Sequence, residues 1–198
     1  VTTDSHRLSK EAVNIDSNVE CNFFINLTVI NALISDLKYF DTEVVISFDD
    51  SKANFEYCNR IINTQVSDLP FVDYKSILNS VNTNKTVTVN TKELINLLTK
   101  HVKIVGKNEK TKNGSIFNIL DDTFNIKSVS DEVNIIDTLK VESDIEEQFK
   151  ISLNIKMILD YLKVNKNEST EIKFGTCNSI VTINDNYIQA PLFMKDGE

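Results

Sequence analysis

Residues 86–105, with the sequence TVTVNTKELINLLTKHVKIV, decide the fold of this 198-residue chain. Threonine and valine alternate up to Asn90, which is the period of a half-buried strand. Apolar residues then recur at helical spacing from Leu94 to Val105, so a helix is predicted over 91–104. Asn90 separates the two patterns, and asparagine is among the best N-cap residues because its side-chain oxygen accepts a hydrogen bond from the first helical turn.

The same pattern of strand, asparagine and helix occurs three times, with the asparagines at positions 26, 90 and 154, each 64 residues after the last. Strands are predicted before them, at 22–26, 86–90 and 149–154, and helices after them, at 27–39, 91–104 and 155–163. Three short strands are predicted to follow each helix, at 43–48, 54–57 and 60–65, then at 115–120, 124–129 and 133–141, then at 171–174, 179–183 and 187–192. The chain is therefore predicted to repeat a β-α-β-β-β module.

One helix cannot cover both faces of a four-stranded sheet, so the modules are expected to pair. The predicted fold class is α+β, with two helices packed on one face of antiparallel sheets. The link after Tyr74, with Ser80 and Asn82, is interpreted as a boundary loop, which divides the chain into domains 1–79 and 80–198. The first domain then holds one whole module and the last strands of another. Because the chain begins at Val1 in strand-like sequence, we expect it to be part of a longer protein.

The composition argues against several other classes of protein. With 4 glycines the chain has no GxGxxG or phosphate-binding loop, and its 3 cysteines form no CxxC pair. No apolar run reaches the roughly 20 residues of a membrane helix. No metal and no cofactor are predicted, and reduced cysteines favour a cytoplasmic location.

An enzyme is also not expected. Ser5 and His6 are adjacent in a predicted strand and so point to opposite faces, which excludes proton transfer between them. The second histidine, His101, is interpreted as a residue on the helix surface. The acidic pairs at 49–50, 121–122 and 146–147 are interpreted as solvated turns rather than a magnesium site.

Three stretches resemble one family. Residues 2–8 (TTDSHRL) resemble the T-D-G-H-R-L strand in the middle domain of bacterial DNA sliding clamps, the β subunit of the replicative polymerase. Residues 69–77 (LPFVDYKSI) resemble the F-P-D-Y segment that closes that domain, and residues 187–192 (YIQAPL) resemble the terminal Y-x-x-M-P-M. The resemblance spans nearly the whole chain and implies the DNA-clamp fold and a non-catalytic processivity factor.

The resemblance implies a ring of two chains through which double-stranded DNA threads without sequence-specific contacts. The net charge of −8 is compatible with this if positive charge is concentrated on the inner face. The candidates for that face are lysines on the polar sides of the three predicted helices: Lys38, Lys92, Lys100, Lys103, Lys156 and Lys163. An ordinary solvated helix face explains these lysines equally well.

The family also binds short peptides of polymerases, the clamp loader and repair proteins in an apolar groove. The matching positions lie in the three motifs: Thr3, Ser5, His6, Arg7 and Leu8; Val72, Ser76 and Ile77; and Ile188, Gln189, Ala190, Pro191, Leu192 and Phe193. Apolar side chains are expected to form the floor, with His6 and Arg7 as donors at its rim. Val72, Ser76, Ala190 and Phe193 replace the family's Pro, Arg, Met and Arg, which predicts a wider and less polar groove.

Ile104 and Val105 match an apolar pair that, in the family, packs against the N-terminal domain of the neighbouring chain. Because no such domain is present in these 198 residues, they are expected to be mainly monomeric, whereas the full-length family member forms a homodimeric ring. The alternative reading is a repeat-built adaptor that binds proteins and never DNA.

Overall fold

The structure, a computed structural model, describes residues 1–15, 22–67, 71–105, 114–130, 132–165 and 167–193. The helices within these residues are α1 (Leu27–Leu37), α2 (Tyr74–Ser80), α3 (Thr91–Val105) and α4 (Ile155–Val164). The strands of the first half are β1 (Thr2–Thr3), β2 (Arg7–Ser9), β3 (Val45–Phe48), β4 (Lys52–Tyr57), β5 (Arg60–Gln65) and β6 (Lys85–Asn90). Those of the second half are β7 (Gly114–Leu120), β8 (Thr123–Val129), β9 (Asn134–Lys140), β10 (Glu142–Ser143), β11 (Phe149–Asn154), β12 (Ser169–Phe174), β13 (Val181–Ile183) and β14 (Tyr187–Gln189).

The chain divides into two compact units. The larger unit comprises Val1–Val13 and Lys75–Glu198, and the smaller unit comprises Asn14–Tyr74. The first 13 residues belong to the larger unit because β2 pairs with β14. The predicted boundary between residues 79 and 80 does not coincide with this division, and the domain assignment stays a prediction.

In the larger unit the second and third modules exchange their leading strands. Strand β6 leads into α3 but pairs with β12 of the third module, with Val87 opposite Ile172. Strand β11 leads into α4 but pairs with β7 of the second module, with Ile151 opposite Phe117. The results are one sheet in the order β1-β2-β14-β13-β12-β6-β10 and one in the order β11-β7-β8-β9, all antiparallel.

The exchange places α3 and α4 against each other, and their apolar faces close one core with the sheets. Each of these helices buries five side chains, among them Leu94 and Leu98 of α3 and Ile158 and Leu162 of α4. Phe117 and Phe124 meet edge to face in the same core, with ring centroids 5.0 Å apart. The predicted α+β class with paired helices on antiparallel sheets is thereby confirmed.

The three asparagines cap their helices as predicted. The side-chain oxygen of Asn26 accepts from the amide of Thr28 at 2.8 Å, and that of Asn90 accepts from the amide of Glu93 at 3.1 Å. Asn154 accepts from two amides, those of the second and third residues of α4, at 3.1 and 3.2 Å. The repeat at 64-residue spacing is therefore also a repeat of one local structure.

The smaller unit holds the first module alone, with α1 on the sheet β3-β4-β5. Its core is formed by Leu33, Ala53, Phe55 and Tyr57. Asp36 joins the helix to the sheet, because one carboxylate oxygen accepts from the Tyr57 hydroxyl at 2.8 Å and from Arg60 at 2.7 Å. The hydrogen bonds from Arg60 and Tyr57 lower the pKa of Asp36.

Several predicted elements differ from the structure. Residues 2–8 are not one strand but the hairpin β1–β2, with Ser5 in a left-handed turn (φ 72°). Within the described residues, the predicted strand 22–26 shows one bridge, between Phe24 and Ser67. The link after Tyr74 was predicted as a loop, yet it contains α2.

Replacing Asn154 with alanine should lower the free energy of unfolding by about 1 kcal/mol, because two amides of the first turn of α4 lose their acceptor. Urea denaturation followed by circular dichroism measures this. Asn154→Asp is the matched control, since its carboxylate accepts the same hydrogen bonds. An equal loss in both variants would show that the capping bonds are not the cause.

Candidate functional site

Two of the three motif segments meet on neighbouring strands of the larger unit. Leu8 lies opposite Ile188 and Arg7 lies opposite Gln189 in the ladder between β2 and β14. The amide of Ala190 donates to the carbonyl of His6 at 2.9 Å, which extends the pairing into the turn of the hairpin. The structure therefore brings together the first and last motifs, as the predicted groove requires.

The end of the last motif is tied to β11, directly before α4. The amide of Leu192 donates to the carbonyl of Ser152 at 2.8 Å, and the side-chain amide of Gln189 donates to the carbonyl of Asn154 at 3.1 Å. The Tyr187 hydroxyl donates to Gln189 at 2.8 Å. Burial raises the pKa of Tyr187 strongly, so this hydroxyl remains a neutral donor. The segment 187–192 is thus fixed by side chains as well as by its ladder.

Arg7 is already bound within the larger unit. Its Nε donates to the Asp4 carboxylate at 2.9 Å, and its Nη1 lies 3.4 Å from the carbonyl of Met157 and 3.8 Å from the Asp160 carboxylate. Burial acts to raise the pKa of Asp4, but hydrogen bonds from the His6 amide and from Arg7 outweigh it, and the pKa is lowered. Arg7 therefore holds the hairpin to α4 through these contacts, and its role as a donor at the rim of the groove stays a prediction.

Exposure separates the predicted groove residues into those that a ligand can touch and those that it cannot. Three are buried: Leu8, Ile188 and Gln189. Five are half-buried: Arg7, Ile77, Ala190, Pro191 and Leu192. Thr3, Ser5, His6, Ser76 and Phe193 are exposed. The partly exposed apolar residues next to the β2–β14 ladder are thus Ala190, Pro191 and Leu192.

The middle motif is divided between the two units. Ser76 and Ile77 lie on α2 in the larger unit, whereas Val72 is an exposed residue of the smaller unit. Val72 lines an open cavity of about 590 Å³ together with Phe24 and Phe71, whose rings lie 4.8 Å apart. Leu69 and Pro70 of this motif lie outside the described residues.

The candidate DNA-facing lysines are all exposed. Lys92, Lys100 and Lys103 lie on α3 and Lys156 and Lys163 on α4, the two helices that pack together, whereas Lys38 caps the C-terminus of α1 in the smaller unit. Lys100 pairs with Asp137 at 2.7 Å, and Lys156 pairs with Asp160. Among the described residues no ion pair is found for Lys92, Lys103 or Lys163, so their charges are the most available on this surface.

Ile104 and Val105, the pair predicted to contact the neighbouring chain, differ in burial. Val105 is buried in the core of the larger unit, whereas Ile104 is half-buried. Of the two, only Ile104 offers surface to a neighbouring chain.

His101 was interpreted as a surface residue, which is wrong: its side chain is 0% exposed. Its Nε2 lies 2.9 Å from Asp137, and its Nδ1 lies 2.7 Å from the Ser128 hydroxyl, which in turn contacts Ser115. A carboxylate has no proton to give, so Nε2 donates and Nδ1 accepts from Ser128.

The order Ser–His–Asp matches that of a hydrolytic triad. Both serines are buried, however, so no substrate can reach Ser128, and the cluster is structural.

The described residues contain no group of three or more His, Cys, Asp or Glu placed to hold a metal ion. No helix in the described part of the chain is long and apolar enough to cross a membrane.

The chain is similar in structure to several DNA polymerase III β subunits. That of Thermotoga maritima is 24% identical, with a TM-score of 0.85 over 97% of this chain and 53% of its own. That of Pseudomonas aeruginosa is 22% identical, with a TM-score of 0.85 over 96% and 54%. The sliding clamp of Bartonella birtlesii, solved with bound griselimycin, is 17% identical, with a TM-score of 0.86 over 97% and 53%.

No protein-family model matches the chain, and no curated protein matches it. The chain spans about half the length of the clamp structures it matches. The three motifs and the 64-residue repeat therefore predicted the fold correctly, since the chain has the fold of the sliding clamps.

The buried imidazole should make the stability of the chain depend on pH. Burial lowers the pKa of His101 below its ordinary value near 6.5, although Asp137 opposes this shift. The unfolded chain therefore takes up a proton first as the pH falls through about 6.5, so the free energy of unfolding should fall there and level off once the folded form is also protonated.

Urea denaturation at several pH values between about 8 and 5, the range over which an imidazole titrates, measures this effect. His101→Gln should remove the loss of stability. The same pH dependence in His101→Gln as in the wild type would contradict the assignment.

Proposed function

We propose that this chain is part of a DNA sliding clamp: a non-catalytic processivity factor that encircles double-stranded DNA and tethers its partners through a peptide-binding groove. The observation that carries the proposal is the clamp fold over 97% of the chain, together with the pairing of two clamp-like motifs on β2 and β14. The match covers about half of each clamp chain, so the ring and its partners are proposed for the full-length protein. A cytoplasmic location is proposed as well.

The proposed DNA-facing surface is the polar side of α3 and α4. The apolar faces of these helices are buried against the sheets, so the opposite sides face solvent with Lys92, Lys103 and Lys163. A few lysine side chains on a chain of net charge −8 attract DNA phosphates without binding them tightly. Weak attraction of this kind suits a protein that slides along DNA.

The proposed groove surface is centred on Ala190, Pro191 and Leu192. These residues expose part of their side chains while the backbone of 190 and 192 is fixed by hydrogen bonds to His6 and Ser152. A rigid, partly apolar surface binds a peptide anchor at low entropic cost. Phe193, exposed just beyond it, is available to pack on an aromatic residue of the peptide. Replication polymerases and clamp-loader subunits are the proposed partners.

The alternative function is a protein-binding adaptor that never meets DNA. The same groove would serve it, so peptide binding does not separate the two functions. DNA binding by the helix face does separate the two functions, because the adaptor function does not require lysines on the polar side of α3 and α4.

The groove predicts binding of a peptide with a Gln-Leu-x-Leu-Phe-like motif, measured by fluorescence anisotropy. Leu192→Asp should weaken binding by at least about 10-fold, because a carboxylate would be desolvated under the apolar anchor. Leu120→Asp, at an exposed leucine of the β7–β8 hairpin, is the matched control and should bind as the wild type does. Equal affinity of all three proteins would remove the groove assignment.

The helix face predicts weak, salt-dependent binding to a double-stranded oligonucleotide. The triple variant Lys92→Glu, Lys103→Glu, Lys163→Glu should abolish it, because three phosphate-facing charges are reversed. The matched control reverses three exposed lysines of the sheets, Lys52, Lys140 and Lys150, with the same change in net charge. If the control lost as much affinity as the helix variant, binding would be a non-specific charge effect and the adaptor would be favoured.

A further inference from the structure

The outer face of the sheet β11-β7-β8-β9 in the larger unit carries positive charge. Its four strands contain three lysines, Lys127, Lys140 and Lys150, and one acidic residue, Asp137. Asp137 lies on the core side of the sheet, where it accepts a hydrogen bond from His101 at 2.9 Å. The lysines lie on the opposite side, and among the described residues none of them has an ion pair. In a chain of net charge −8, this face is a local basic surface.

One row of side chains crosses this face and begins at the proposed groove surface. Leu192 forms a bridge with Ser152, and Ser152 lies opposite Ile116. Ile116 lies opposite Lys127, which in turn lies opposite Ile136. Residues directly opposed in antiparallel strands project to the same side of the sheet, so these five side chains form a continuous line, here called the outer row. Because neighbouring strands lie about 4.8 Å apart, the outer row is about 19 Å long.

The outer row is accessible except at Ser152. Ser152 is 8% exposed, whereas Ile116 and Lys127 are half-buried and Ile136 is 59% exposed. The row therefore presents a lysine between two isoleucines. The next row of the same face is polar and consists of Lys150, Asn118, Asn125 and Thr138. Since the face is otherwise polar, it is a solvated surface of the larger unit and not the uncovered part of a core.

Lys127 is the least compensated of the three lysines. Its neighbours on the same side of the sheet are uncharged: Asn125 and Val129 along β8, and Ile116 and Ile136 across it. Lys140, by contrast, lies opposite Thr123, directly after the acidic turn formed by residues 121–122. A cation beside apolar groups attracts a carboxylate more strongly than one in open water, because the local dielectric constant is lower.

We propose that the outer row extends the proposed peptide groove and binds an acidic segment of the same partner peptide. The segment supplies a carboxylate for Lys127 and apolar side chains for Ile116 and Ile136. About six residues of extended peptide span the row, at about 3.3 Å per residue. This inference rests on the proposed function, because the peptide anchor at residues 190–192 is what brings the segment to the row.

A peptide fits this surface better than DNA does. DNA would supply phosphates for Lys127 but no apolar side chains for Ile116 and Ile136. The row is also continuous with Leu192, so a peptide anchored there meets the row intramolecularly, at a high effective concentration. A weak contact with Lys127 then adds measurably to the affinity of the whole peptide.

Fluorescence anisotropy with the 198-residue chain, at about 0.15 M salt, tests the proposal. The probes are the Gln-Leu-x-Leu-Phe-like peptide alone and the same peptide extended, at either end in turn, by six residues of alternating isoleucine and glutamate. Two further extensions carry glutamine or lysine in place of glutamate. At the better of the two ends, the acidic extension should lower the dissociation constant at least about 5-fold relative to the motif peptide and about 3-fold relative to the glutamine extension, as expected for one exposed ion pair with apolar contacts.

Lys127→Glu should remove the preference for the acidic extension and favour the lysine extension instead, because the charge of the outer row is reversed. Lys140→Glu is the matched control, since it makes the same change in net charge on the same face. Lys140 lies four residues along β9 from Ile136, the neighbour of Lys127, which is about 13 Å and beyond the screening length of about 8 Å. This variant should keep the acidic preference.

The motif peptide alone reports on the groove, and the difference between the extensions reports on the outer row. Binding of the motif peptide with equal affinities for the acidic and glutamine extensions would overturn the inference and leave the groove in place. An acidic preference that Lys140→Glu removes as completely as Lys127→Glu would also overturn it, as a general charge effect. If the acidic peptide bound through Lys127 and the motif alone did not bind, the outer row would stand without the groove, whereas no binding of any peptide would overturn both.

Discussion

The structure depends on one constraint: a single amphipathic helix cannot cover the sheet that its own module forms. The second and third modules meet this constraint by exchanging leading strands, so that β6 completes the sheet of the third module and β11 that of the second. The exchange brings α3 and α4 together over one continuous core. It also requires the polar faces of both helices to point away from the sheets, which is how a helix-lined surface with lysines arises.

The same exchange positions the candidate groove. Strand β11 ends at Asn154, whose side chain caps α4 and whose carbonyl accepts from Gln189 of β14. Strand β14 in turn pairs with β2, and Arg7 of β2 returns to α4 through Met157. A closed set of backbone and side-chain contacts therefore fixes Ala190, Pro191 and Leu192. The proposed function needs this rigidity, because a groove that is ordered before binding loses little entropy when the peptide arrives.

The sequence was informative where the signal is local. The asparagine caps, the helical periodicity of α3 and α4 and most strands are encoded within a few residues, and they were predicted within one to three residues. The turn of the β1–β2 hairpin was also signalled, by Asp4 and Ser5, but was taken as part of a strand because the clamp motif was matched as one. The burial of His101 could have been found, since positions 94, 98, 101 and 105 form one helical face. The strand exchange and the division of the middle motif had no local signal, because they join residues far apart in the chain.

Native-state hydrogen exchange on the larger unit tests most directly whether the two modules depend on each other. If each module completes the sheet of the other, the amides of Val87 and Val89 in β6 and of Ile151 and Leu153 in β11 must open in one cooperative event. The account predicts the same opening free energy and the same dependence on denaturant for all four amides. A pair that exchanges at clearly lower free energy, with a smaller denaturant dependence than the other, would show that one module folds without its partner and would contradict the account.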